Sequence, residues 1–201
     1  MHVIIDYDVG NLGSVIQSFK KAGFTLEVSK DPEVIKSAQS LILPGVGAFE
    51  GAMKALENTG IIPLIHDHVK QGKPLLGICL GMQLLYESSD EYGLHKGLGI
   101  LPGQITKFKV DLNIPHMGWN SLRFEQPNHP VLKYIEPGDY VYFVHSYYAV
   151  NTAATLVADT DYDVSVPAIT AKDNVVGMQF HPEKSGPVGA RLLKAYKEMV
   201  E

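Results

Sequence analysis

A chain of 201 residues, 45% of them hydrophobic and 19% charged, has apolar material for a substantial core and reads as one domain over 1–201. Its 17 basic and 22 acidic side chains leave a formal charge of −5, which gives no electrostatic ground for nucleic acid or an anionic membrane as a partner. A single cysteine excludes an internal disulfide, no run nears the ~18 apolar residues that span a bilayer, and no charged-then-apolar leader precedes the first strand, so a reducing, cytoplasmic setting is expected.

The chain opens on a β-rich run, His2 to Asp6. Asn11 then starts a helix whose Leu12, Val15, Ile16 and Phe19 keep i, i+3, i+4, i+7 spacing until Gly23. Phe24 to Val28 reads as a second strand, Asp31-Pro32-Glu33 as a helix opening, and Ser40 to Leu43 as a third, apolar strand. Pro44-Gly45-Val46-Gly47 leads into a helix carrying Phe49, Ala52, Met53 and Leu56, with Gly60 beyond its end. Another helix runs from about Pro63 to Gly72. Apolar strands alternating with helices predict an open, mostly parallel sheet in an α/β fold. The glycines after the third strand are not followed by the Lys-Ser/Thr of a phosphate-binding loop.

Lys73 to Glu87 changes character midway, from an apolar run opened by Pro74 to a helical period that puts Met82, Leu85 and Tyr86 on one side. Cys79 stands at the switch, with Gly77 and Gly81 two positions away on either side. This is the nucleophile-elbow pattern G-x-S-x-G with cysteine in place of serine. A lone cysteine is ordinarily a small buried hydrophobe, but the flanking glycines favour a nucleophile, since they let strand and helix approach around a sharp turn. At the start of a helix, free N–H groups also favour thiolate over thiol. Backbone N–H groups of the Pro44–Gly47 stretch can converge with that of Leu80 as an oxyanion hole.

Beyond Glu87, residues 88–103 read as a charged, glycine-rich loop. Shorter strands follow around Gln104 to Val110, Ser121 to Phe124, Tyr140 to Val144 and Thr155 to Ala158, a mixed, partly antiparallel extension of the sheet. Asn174 to Phe180 is the last strand, and Ser185 is placed to cap a final helix with Val188, Leu192 and Tyr196 on its buried side. If the chain stays extended after Phe180, His181 and Glu183 face one way, as base and orienting carboxylate for Cys79. A metal site is not expected: there are eight histidines, but His66 and His68 lie two apart on a helix and no metal-ligand spacing occurs.

Gly77-Ile78-Cys79-Leu80-Gly81-Met82-Gln83, Pro44-Gly45-Val46-Gly47 and Phe180-His181-Pro182-Glu183-Lys184-Ser185 together resemble the class I glutamine amidotransferases, the triad glutaminases of flavodoxin-like fold. Asp6 to Val15 and Pro115-His116-Met117-Gly118-Trp119-Asn120 narrow the resemblance to the glutaminase subunits of imidazole glycerol phosphate synthases. The resemblance implies Cys79 as nucleophile, His181 as acid/base, Glu183 as orienting acid and the N–H groups of Val46 and Leu80 as oxyanion donors. It implies contacts to L-glutamine from Gly47, Gln83, Glu91, His145, Ser146 and Tyr147, although Glu91 lies in a charged loop where solvation is the default.

The same resemblance implies no cofactor and one partner. The family's cyclase subunit is a (β/α)8 barrel, and such barrels need about 250 residues, so the acceptor site is expected on another chain in a heterodimer. Asn11, Pro115, His116, Met117, Gly118, Trp119 and Lys184 match the family's interface segments. Gly45 and Gly47 tolerate positive φ, so the peptide before Val46 is expected to rotate, leaving glutamine hydrolysis latent until a loaded partner favours the N–H-inward state. Gly45→Pro is then expected to abolish stimulation while sparing partner binding.

Overall fold

The computed structural model describes residues 1–10 and 12–201; the helix start expected at Asn11 falls outside them. Four strands, β1 (His2–Ile5), β2 (Leu26–Ser29), β3 (Ser40–Leu43) and β4 (Leu75–Ile78), alternate with helices α1 (Leu12–Lys21), α2 (Pro32–Ser37), α3 (Phe49–Thr59) and α4 (Ile62–Lys70). After β4 comes α5 (Leu80–Leu84), and α6 (Gly186–Val200) closes the chain. Between them lie β5 (Ser88–Ser89), β6 (His95–Lys96), β7 (Gln104–Lys107), β8 (His116–Ser121), β9 (Arg123–Phe124), β10 (Tyr140–His145), β11 (Tyr147–Val150), β12 (Leu156–Asp161), β13 (Ser165–Lys172) and β14 (Val175–Met178).

The main sheet has eight strands in the order β2-β1-β3-β4-β14-β13-β12-β9, parallel from β2 to β14 and antiparallel beyond. Strands β1, β3, β4 and β14 are buried along their whole length, as a sheet covered by helices on both faces requires. Alternate residues feed two cores. Ile4, Ile42, Leu76 and Val176 face one with Phe19 of α1 and Leu192 and Tyr196 of α6. Val3, Ile5, Leu41, Leu43 and Leu75 face the other with Leu56 of α3 and Ile65 of α4. Each such side chain contributes roughly 1.5–3 kcal/mol on burial.

The structure departs from expectation in four ways. Only β13, β12 and β9 extend the main sheet, while β10 pairs with β8 alone and β11-β7-β5-β6 form a separate four-stranded sheet. The supposed loop after Glu87 supplies two short strands of that sheet. β8, β11 and β13 escaped the sequence reading; Pro167 spoils the strand pattern of β13, where it lies opposite Asp159 beside register shifts in β12, as a residue without an N–H demands. Finally, Ser185 makes no side-chain cap on α6. Its Oγ donates to the His181 carbonyl at 2.7 Å and accepts from Tyr142 N at 3.0 Å, so it ties the His181 turn to β10.

Candidate active site

Cys79 joins β4 to α5 with φ 54° and ψ −115°, a left-handed backbone that a non-glycine residue adopts only under constraint. The constraint is close packing on both sides. A Cβ on Gly77 would stand 2.7 Å from Met82 Cα, and one on Gly81 would overlap the Leu43 carbonyl. The Cys79 backbone is held by its N–H donating to Met178 O at 2.7 Å and its carbonyl accepting from Gln83 N at 3.2 Å.

β14 lies beside β4 in parallel register, Met178 opposite Ile78, so the chain leaving β14 passes Cys79 at the carboxyl end of the sheet. His181 follows there, its N–H donating to Tyr142 O at 3.0 Å. Residues 182–184 then form a 3-10 turn rather than the extended run expected from sequence. The turn still brings Glu183 back to His181, Oε1 to Nδ1 at 2.7 Å, with both side chains at most 5% exposed. Glu183 Oε2 has no hydrogen-bond partner among the described residues. Burial disfavours an imidazolium at His181, but hydrogen bonds to the Cys79 sulfur and to Glu183 outweigh it and raise its pKa to about 9. Near neutral pH an imidazolium therefore stands beside the Cys79 sulfur.

A cavity of about 350 Å³ opens over Cys79. Of the expected substrate and oxyanion residues, Val46, Gly47, Leu80, Gln83, Glu91, His145, Ser146 and Tyr147 line it, together with His181. Glu91 is not solvated: it is 9% exposed, and its Oε2 accepts from Phe49 N at 2.8 Å, capping α3, whose N-cap residue Ala48 supplies no side-chain bond. Gln83 Nε2 donates to Tyr147 O and to Gln179 Oε1, both at 3.0 Å.

The oxyanion stretch differs from the expected double-glycine hinge. Gly47 has φ 99°, but Gly45 is not among the positive-φ glycines. Gly45 is needed for space, since a Cβ there would stand 2.5 Å from Tyr7 Oη and 3.1 Å from Gly81 N. The Tyr7 hydroxyl donates to Pro44 O at 2.6 Å from a fully buried position. Burial and the neighbouring Cys79 keep that phenol un-ionised.

Of the expected interface residues, Pro115 and Lys184 edge the cavity, and Met117 and Trp119 are exposed, at 63% and 55%. Gly118 is half-buried between them. His116 is the exception, 3% exposed and turned inward, because β8 alternates its faces against β10. The sequence reading missed Tyr7, Gln179 and the inward His116. A glutamine inside the apolar last strand as read from sequence, and a tyrosine just past the first, were the available signals: buried polar groups need partners.

Known proteins give the same picture. The family described as glutamine amidotransferase class-I matches residues 3–196. The chain is 49% identical to the imidazole glycerol phosphate synthase subunit HisH of Halalkalibacterium halodurans, with 98% of this chain and 95% of that protein covered. It is 47% identical to the HisH subunit of Syntrophotalea carbinolica, covering 99% and 100%. Among solved structures, PurLQS from Thermotoga maritima superposes with a TM-score of 0.77 at 18% identity, over 100% of this chain and 98% of that one, a likeness of fold. With its sequence matched almost end to end and its cysteine on a nucleophile elbow, the chain belongs to the class-I glutamine amidotransferases.

Proposed function

We propose that the chain is the glutaminase subunit of an imidazole glycerol phosphate synthase, carried by one observation: a cysteine elbow facing a buried His181–Glu183 pair, in a chain 47–49% identical to HisH subunits over nearly its full length. Cys79 Sγ attacks the side-chain carboxamide carbon of L-glutamine. The N–H groups of Val46 and Leu80 receive the developing oxyanion. His181, protonated below about pH 9, gives its proton to the leaving nitrogen, and ammonia departs. Neutral His181 then takes a proton from water as it attacks the thioester carbon, and collapse of that adduct releases glutamate and expels the Cys79 sulfur beside the re-protonated His181. Glu183 holds the imidazole oriented through both steps. Gly47, Gln83, Glu91, His145, Ser146 and Tyr147 hold the rest of the substrate. The residues require no cofactor for this cycle.

Ammonia is nucleophilic only unprotonated, so it passes directly to a cyclase subunit, which makes imidazole glycerol phosphate and an aminoimidazole carboxamide ribonucleotide in histidine biosynthesis. The docking face is Pro115, Met117, Gly118, Trp119 and Lys184, with Asn11. Residues 1–201 serve as one domain, working in the reducing cytoplasm where Cys79 stays reduced; no described helix is long and apolar enough to cross a membrane. The test is glutamate release by the purified chain alone and with a cyclase subunit and its nucleotide, with Cys79→Ala as blank. A rise only in the loaded complex is expected. High activity that the cyclase leaves unchanged would point to a freestanding glutaminase.

A further inference from the structure

Behind the cavity wall, three side chains fix one another's protons. The Tyr147 carbonyl can only accept, so His145 Nδ1, 2.8 Å away, carries a hydrogen. Burial, with His116 and His181 nearby, holds the His145 pKa down at about 3 against the pull of that carbonyl. His145 is therefore neutral, and its Nε2 is an acceptor. His116 Nδ1, 3.0 Å from that nitrogen, must be the donor. His116 is neutral too, burial pushing its pKa down to about 4, and its Nε2 accepts from Asn120 Nδ2 at 3.3 Å. The Asn120 amide is oriented independently, since Nδ2 donates to Asp161 O at 2.8 Å and Oδ1 accepts from Ser121 N at 2.9 Å. Both imidazoles are thus held as the Nδ1–H tautomer, the form that a free neutral histidine in water populates less.

The chain of bonds ends at the Tyr147 carbonyl, which also anchors Gln83. His145, Tyr147 and Gln83 line the cavity; His116 does not. It stands opposite His145 across the β8–β10 ladder, stacked between Phe143 at 4.6 Å and Tyr162 at 4.0 Å. We propose that His116 is a positioning residue of the glutaminase site: its Nδ1–H holds His145 in one neutral tautomer and so fixes the wall, Tyr147 carbonyl and Gln83, against which glutamine is bound. This rests on the glutaminase reading above. It also gives His116 a role inside the chain in place of the partner contact expected from sequence.

The test compares His116→Phe, which keeps the ring stacking and removes the donor, with His116→Asn, which keeps an N–H near the Nδ1 position. Glutamine kinetics and nitrogen NMR of histidine-labelled protein at pH 7 are the readouts. The wild-type chain should show Nδ1–H at both residues. His116→Phe should release His145 toward Nε2–H and raise KM for glutamine about tenfold with kcat within about threefold, while His116→Asn restores both. An unchanged KM in His116→Phe, a His145 that keeps its tautomer there, or equal losses in the two variants would overturn the role. Should His116→Phe not fold, Nε2–H on His145 in the wild-type chain still overturns it, and His116→Leu replaces it as the donor deletion. A wild-type chain that hydrolyses no glutamine, even with the cyclase, removes the functional reading instead, and the two failures are told apart.

Discussion

The proton on His181 is governed by two neighbours that pull together against burial. Hydrogen bonds to Cys79 and Glu183 raise its pKa to about 9, so the acid proposed to protonate the leaving nitrogen persists through neutral pH. Glu183→Gln removes one of the two upward pulls. The basic limb of kcat/KM against pH should move down from near 9 in that variant, and kcat should fall by a factor of about 10²–10⁴. Stability follows the same sign. With a folded pKa of about 9 above the ordinary histidine value near 6.5, His181 contributes stability that is fully present below about pH 6.5 and is lost as pH rises through 9. Thermal melts from pH 6 to 10 should show the wild-type midpoint falling more steeply than that of Glu183→Gln.

At the scale of elements, the site is made where β1, β3 and β4 end together and three backbones come within contact distance. Gly81 has no room for a Cβ against the Leu43 carbonyl, and Gly45 has none against Tyr7 Oη. Gly81→Ala must push α5 off β3, which should cost about 1–3 kcal/mol in urea unfolding and displace Cys79 from its turn. The Gly45 contact gives a sharper test because its severest obstacle is one hydroxyl, 2.5 Å from the added Cβ. Gly45→Ala should lower kcat at least about tenfold, and adding Tyr7→Phe should recover part of the loss, a non-additivity read by a double-mutant cycle. Gly45→Pro tests packing as much as rotation, since the positive φ of the stretch belongs to Gly47.

Across the whole molecule, exposed apolar residues include Val46 at the cavity and Met117 and Trp119 on β8, next after the cavity-lining Pro115, while the helices α1, α3, α4 and α6 bury their apolar sides. Trp119→Ala should therefore leave the melting temperature nearly unchanged and weaken cyclase binding about tenfold to a hundredfold, measured by titration calorimetry. The parallel half of the fold was legible because its central strands are buried on both faces and its helices keep one apolar side, both local patterns. Cys79 between Gly77 and Gly81, and His181 two residues before Glu183, were legible as spacing. What local pattern could not decide was which antiparallel strands share a sheet, since β8, β10 and β11 show similar half-buried alternation and differ only in their partners. Nor could it show that Glu91 caps α3, that Tyr7 fills the space above Gly45, or that His116 faces inward to His145. Residue type and spacing determined the chemistry available to this chain. Only the tertiary structure decided which buried polar groups satisfy one another, because hydrogen bonds between residues 29 to 96 positions apart depend on where the backbone returns.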